Sequence, residues 1–201
     1  MVSSTILRGH FIKKVRQLMH HILAISGSIR AKSLNRALLV AAQQLAPADV
    51  TITIAQIDDI PHFNDDHDSA NEADVHPAVN RLRQQIRNTD SLLIATPEYN
   101  HSFPGVLKNA LDWASRPYGK SALQGKAVAV IGGGGGSGGI RAQVHLRQTL
   151  SGCGMMVMAR PEMAIRFGDT FKDGEFVDHN AREHLAKVIG ALVAWHHKIQ
   201  A

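Results

Sequence analysis

From His20 onward, short apolar runs alternate with longer segments whose apolar residues recur at helical spacing. That alternation predicts strands joined by crossover helices around a parallel sheet. Five runs read as strands: His21 to Ser26, Val50 to Gln56, Ser91 to Thr96, Ala127 to Gly132 and Met155 to Pro161. The third and fourth are almost continuously apolar, as expected where helices cover both faces, and belong in the middle of the sheet. The second alternates Val50, Ile52 and Ile54 with Thr51 and Thr53, which suits an edge. The prediction is an α/β fold with a doubly wound five-stranded parallel sheet of order 2-1-3-4-5.

Between the strands, Leu34, Leu38, Ala41 and Leu45 share one helical stripe, as do Val106, Leu107, Ala110, Leu111 and Ala114. A last helix repeats Ala181, Leu185, Val188, Ile189 and Leu192. The helix after the third strand carries Leu111, Trp113 and Ala114 on more than one face, which predicts that a partner chain covers it. In a sheet of this order ligands bind beyond the carboxyl ends of the strands, where the winding reverses, so the search narrows to three loops.

The first loop runs from Ser26 to Arg36. Gly27 permits a tight turn, the following helix presents its N-terminus, and Ser28, Arg30, Ser33 and Asn35 add donors. Such an array suits a phosphomonoester without a metal; the plainer alternative is that Ser33 only caps the helix. The second loop, Thr96 to Gly105, is stiffened by Pro97 and Pro104. Its backbone can meet the edge of a planar heterocycle while Tyr99 lies against the face. The third loop has seven glycines among the eight residues from Gly132 to Gly139. Gly133, Gly135 and Gly138 satisfy G-x-G-x-x-G, and Glu162 stands where a ribose-binding acid would be sought. That nicotinamide reading is weak, because so many glycines satisfy the motif trivially and it falls in the fourth strand-helix unit rather than the first. The alternative is that side chains are absent so that flat ligands can approach the backbone.

Composition narrows the partners. At 201 residues and 44% hydrophobic the chain can bury one sizeable core. Arg8, Lys13, Lys14 and Arg16 carry four of the five net positive charges, so the remaining body is nearly neutral and unsuited to tracking nucleic acid. Residues 1–19 therefore read as an N-terminal extension, mobile or folded into an amphipathic helix through Ile6, Leu7, Phe11, Val15 and Leu18, and residues 20–201 as the domain proper. The single Cys153 forms no intramolecular disulfide, and no apolar run approaches the roughly 20 residues of a membrane span, so a cytoplasmic location is expected and membrane attachment is not. His62, Asp65, Asp66, His67 and Asp68 match no zinc or calcium spacing and read as a solvated acidic loop.

Three stretches resemble the NADPH-dependent FMN reductase family, a flavodoxin-like group that includes quinone, chromate and azo-dye reductases: GSIRAKSLNR (Gly27 to Arg36), PEYNHSFPGVLKNALDWASRP (Pro97 to Pro117) and GGIRAQVHLRQ (Gly138 to Gln148). The resemblance implies that Ser28, Arg30, Ser33 and Asn35 hold the FMN phosphate. Pro97, Glu98, Tyr99 and Asn100 would then flank the ribityl chain and ring, with Gly133, Gly134 and Gly135 near the ring system. It further implies NADPH or NADH as co-substrate, quinone, free flavin, chromate or azo dye as acceptor, ping-pong hydride transfer without a catalytic side chain, and a homodimer or tetramer. An FMN electron carrier or a non-catalytic relative would keep the same fold.

Overall fold

A computed structural model describes residues 19–168 and 170–201. The N-terminal extension read at 1–19 lies, apart from Met19, outside the described residues. Strands β1 (His20–Ser26), β2 (Val50–Ile54), β3 (Ser91–Thr96) and β4 (Ala127–Gly134) are joined by helices α1 (Leu34–Leu45), α2 (Pro77–Arg87) and α3 (Gly105–Ala114). Helix α4 (Ile140–Gly152), the short strands β5 (Met156–Val157) and β6 (Met163–Arg166), a hairpin of β7 (Phe171–Lys172) and β8 (Glu175–Phe176), and helix α5 (His179–Gln200) follow. The parallel order is β2-β1-β3-β4-β5, as predicted.

Because side chains alternate across a strand, each strand feeds two cores. Leu23, Ile25, Leu92, Ile94, Val128 and Val130 face α2, α3 and α4. Ile22, Ala24, Leu93, Ala95, Ala129 and Ile131 face α1 and α5. The helices start on local signals. Ser33 caps α1 by accepting from the Arg36 N–H, Pro77 opens α2, and Asp178 caps α5 by accepting from the Ala181 N–H.

The fifth strand is not the continuous Met155–Pro161 run predicted. Its position is shared: Met156 and Val157 pair with Ala127 and Val128, and after a break Met163–Arg166 pair with Ile131–Gly134. Pro161 lacks the N–H a ladder needs, so the chain leaves the sheet and returns beyond it. Arg147 occupies the gap, donating to the Met158 carbonyl at 2.6 Å. A sixth strand therefore extends the sheet beside the glycine run.

Helix α3 does not need a partner for Trp113. The long connection after β2 folds over it, and Trp113 is 1% exposed, donating through Nε1 to the Pro61 carbonyl at 2.8 Å. Phe63 packs edge-on against its ring. The acidic part of that connection is fastened by arginines: Asp68 to the fully buried Arg83 at 2.7 Å, Asp59 to Arg81 at 2.6 Å and Asp65 to Arg116 at 3.5 Å. His62, Asp65, Asp66 and His67 are exposed, as a solvated acidic loop requires, while Asp68 is partly buried as its anchor on Arg83.

Candidate functional site

The site builds up at the carboxyl ends of β1, β3 and β4. After β1 the chain turns on itself: the Ser28 N–H donates to Ser26 Oγ at 3.3 Å, Ser26 Oγ donates to the Ser28 carbonyl at 3.0 Å, and the Arg30 N–H donates to Ser28 Oγ at 3.4 Å. These bonds hold an exposed loop in one shape over the N-terminus of α1. Beside it lies a cavity of about 420 Å³ lined by Ser26, Ser28, Arg30, Arg36, Gln56 and Asp58. Neither Arg30 nor Arg36 forms an ion pair among the described residues, so two cations and one carboxylate, Asp58, line the cavity beside the positive end of a helix. Arg36 was not among the predicted site residues. It lies in the same loop-to-helix stretch, but only the first turn of α1 brings it next to the cavity.

Two predicted phosphate donors have other work. Ser33 caps α1, the plainer of its two readings, which leaves only its hydroxyl proton to give. Asn35 is 2% exposed and faces the third loop: its Nδ2 donates to the Gly133 carbonyl at 3.2 Å, and its Oδ1 accepts from the Gly133 N–H at 2.9 Å. Asn35 is therefore a brace between two loops. Gly133, with both backbone groups engaged and its residue buried, does not present them to a ring.

In the second loop Pro97 is buried, and its carbonyl accepts from Thr96 Oγ1 at 2.9 Å. Tyr99 and Ser102 exchange backbone bonds of 2.9 and 3.0 Å around a tight turn. Asn100 and His101 form that turn at φ 50° and 64°, the left-handed conformation that a two-residue hairpin demands and that Asn tolerates. The turn leaves Tyr99 52% exposed at the rim. Glu98 does not line the cavity and is bonded to the start of α4. Its carboxylate accepts from Ser137 Oγ and the Arg141 N–H, both at 3.1 Å, and pairs with the Arg141 guanidinium at 3.1 Å. Burial opposes its ionisation, but the Arg141, Ser137 and backbone donors outweigh that and hold the carboxyl below the usual range.

The glycine run divides by function. β4 continues through Gly134, further than predicted, because β6 supplies a partner. A Cβ on Gly132 would lie 2.1 Å from the Thr96 carbonyl oxygen, and one on Gly133 would lie 2.3 Å from Phe167 Cε1. Those two positions are bare so that the protein can close on itself. At Gly135 and Gly136 a Cβ would meet nothing within 4 Å, and there the exposed backbone does face open space. Among the described residues no group of three or more His, Cys, Asp or Glu side chains is arranged to hold a metal ion, and no helix is long and apolar enough to cross a membrane.

Paired arginines at a helix N-terminus fit a dianionic phosphate, and an exposed tyrosine and a bare glycine edge fit a flat ring; the arginines line a cavity between the carboxyl ends of β1 and β2, and the tyrosine and glycines follow β3 and β4. Fold and site together define a flavodoxin-like flavoprotein oxidoreductase. The family model described as NADPH-dependent FMN reductase matches residues 20–170, and the chain belongs to that family. It is 44% identical over 177 residues to an NAD(P)H-dependent FMN reductase of Pseudomonas aeruginosa, covering 87% of this chain and 94% of that one. It is 40% identical over 177 residues to a 2-hydroxy-1,4-benzoquinone reductase of Burkholderia, with the same coverage of 87% and 94%. Among solved structures it superposes on the Paracoccus denitrificans flavoenzyme FerB, an NAD(P)H:(acceptor) oxidoreductase, with TM-score 0.81 and 37% identity over 90% of this chain and 98% of that one.

Proposed function

We propose that the chain holds FMN with its phosphate among Ser28, Arg30 and Arg36 and its ring between Tyr99 and the Gly134–Gly136 edge. With it, the protein transfers reducing equivalents from NADPH or NADH to quinones, free flavin or related small acceptors. The observation that carries this reading is the Arg30 and Arg36 pair, free of ion pairs, in the cavity beside the α1 N-terminus at the carboxyl end of β1. The relatives' names, an FMN reductase and a benzoquinone reductase, supply the donor and acceptor classes. When bound, FMN supplies the hydride chemistry itself.

The chain's own residues bind and orient. Arg30 and Arg36 neutralise the phosphate, the Ser28 loop shapes its cradle, and Pro97 holds the backbone behind Tyr99 rigid. A rim open on one side admits one flat molecule at a time, so the oxidised nucleotide leaves before the acceptor enters and the kinetics are ping-pong. Ile140, Val144 and Tyr99 are 36%, 57% and 52% exposed around the start of α4, an apolar patch that supports pairing of two copies through α3 and α4 beside the site. A lone half-buried cysteine agrees with a cytoplasmic setting.

The deciding measurement is the visible absorption of the purified protein and its bleaching by NADPH without oxygen. A colourless protein that takes up no added FMN rejects the proposal. One that takes up FMN but is not bleached by either nicotinamide nucleotide is a carrier. Light scattering that gives the mass of one chain at micromolar concentration rejects the pairing.

A further inference from the structure

Helix α4 begins without a cap of its own. Its N-cap residue, Gly139, sits at φ 79° and offers no side chain, yet the first N–H groups of the helix need acceptors. The Ile140 N–H reaches the Ser137 carbonyl at 3.4 Å, and the next two find their acceptor in another loop. Glu98 Oε2 accepts from the Arg141 N–H at 3.1 Å and the Ala142 N–H at 3.5 Å, while Oε1 accepts from the Arg141 guanidinium at 3.1 Å. The same carboxylate accepts from Ser137 Oγ at 3.1 Å, the residue directly after the open glycines. One side chain, itself only 10% exposed, thus fixes both the helix start and the midpoint of the loop before it.

The glycines at 135 and 136 have no side chains with which to fix themselves, and a Cβ at either position would touch nothing. The attitude of their backbone is set from the two ends of the loop. At one end β4 is held by β6 and by Asn35, and at the other Ser137 is held by Glu98. We propose that Glu98 is a positioning residue for the flavin site: it ties the Gly134–Gly139 loop to the turn carrying Tyr99, so that the loop backbone stays aimed at the bound cofactor. The inference rests on the FMN reading above. It gives Glu98 a different role from the ring contact that its motif implies.

The test uses the FMN-loaded protein and Glu98→Ala, Glu98→Gln and Arg141→Ala variants. It measures the FMN dissociation constant from flavin fluorescence on dilution, the visible spectrum of the bound flavin, and the melting temperature. Glu98→Ala should weaken FMN about tenfold and alter the bound spectrum, as four charge-assisted contacts are lost. Glu98→Gln keeps an acceptor oxygen for Ser137 and the helix N–H groups but loses the ion pair, and should weaken FMN roughly threefold. Arg141→Ala, which leaves the backbone contacts in place, should fall below Glu98→Ala in effect. If Glu98→Ala does not fold, Glu98→Gln decides. A variant that melts earlier but binds FMN with unchanged affinity and spectrum overturns the inference, leaving Glu98 as a helix cap alone. A wild-type protein that takes up no FMN overturns the function as well, whereas a yellow wild type with unaffected Glu98 variants overturns this inference only.

Discussion

Asn35 and Gly133, 98 positions apart, exchange two hydrogen bonds in the buried seam between the first and third loops. Removing the amide leaves a buried N–H and C=O unpaired, a loss of about 2 to 4 kcal/mol. Asn35→Ala should therefore lower the urea midpoint and, if the first loop holds the FMN phosphate as proposed, also reduce FMN content, because the first loop and the glycine loop lose their common brace. A variant that is destabilised while retaining full FMN affinity would show that the brace serves the fold alone.

Arg30 and Arg36 line one cavity and form no ion pairs among the described residues. Replacing both with alanine should weaken FMN by about 2 to 4 kcal/mol, and raising the salt concentration should weaken the wild type more than the double variant. Fluorescence titration at two ionic strengths checks both statements. Riboflavin, which lacks the phosphate, should bind the wild type and the double variant alike.

The glycine run offers a contrast within five residues. Gly132→Ala places a Cβ 2.1 Å from the Thr96 carbonyl oxygen, where only backbone movement can relieve the contact, and should destabilise by roughly 3 kcal/mol or more. Gly136→Ala enters open space and should change stability by no more than about 0.5 kcal/mol. Denaturant midpoints of the two variants compare them directly, and equal midpoints would contradict the division of the run into packing and open glycines.

At the opposite end of the sheet His20 is buried, its Nε2 bonded to Ser91 Oγ at 2.8 Å, with the rings of His196 and His197 at 4.9 and 5.8 Å. Burial, aided by His196, His197 and His21 and opposed by Asp90, pushes its pKa down to about 4 from 6.5. Above pH 6.5 the group is neutral in both folded and unfolded chains and contributes nothing to pH dependence. Between pH 6.5 and about 4 the unfolded chain takes up a proton that the folded chain refuses, so stability falls as pH falls and levels off below about 4. The loss amounts to at most about 3 kcal/mol. Urea midpoints at pH 7 and pH 5 should differ in the wild type and differ less in His20→Gln; equal differences would exclude His20 as the source.

Much of this was legible in the chain itself. The continuous apolar runs of β3 and β4, the Ser33 cap and the helical stripes fix a doubly wound sheet, because burial on two faces and the 3.6-residue period leave their marks on every residue. The Asp173-Gly174 turn of the β7–β8 hairpin, with both residues at positive φ, was equally readable from a dipeptide known for such turns, although no strand was predicted there. Local chemistry also placed the three loops at one end of the sheet. What local pattern could not decide is which polar group meets which. Asn35 looks like a phosphate donor until Gly133 is found against it, Glu98 like a ring contact until α4 is seen to start without a cap, and Trp113 like an interface residue until Pro61 and Phe63 close over it. Such pairings join residues tens of positions apart, and a donor's partner depends on where the chain returns, which periodicity does not record. Apolar runs and helical periods in the chain were enough for the parallel sheet and the order of its first five strands, though not for β6. Only the folded chain shows which conspicuous residues brace one loop against another, because those partners meet through segments far apart in sequence.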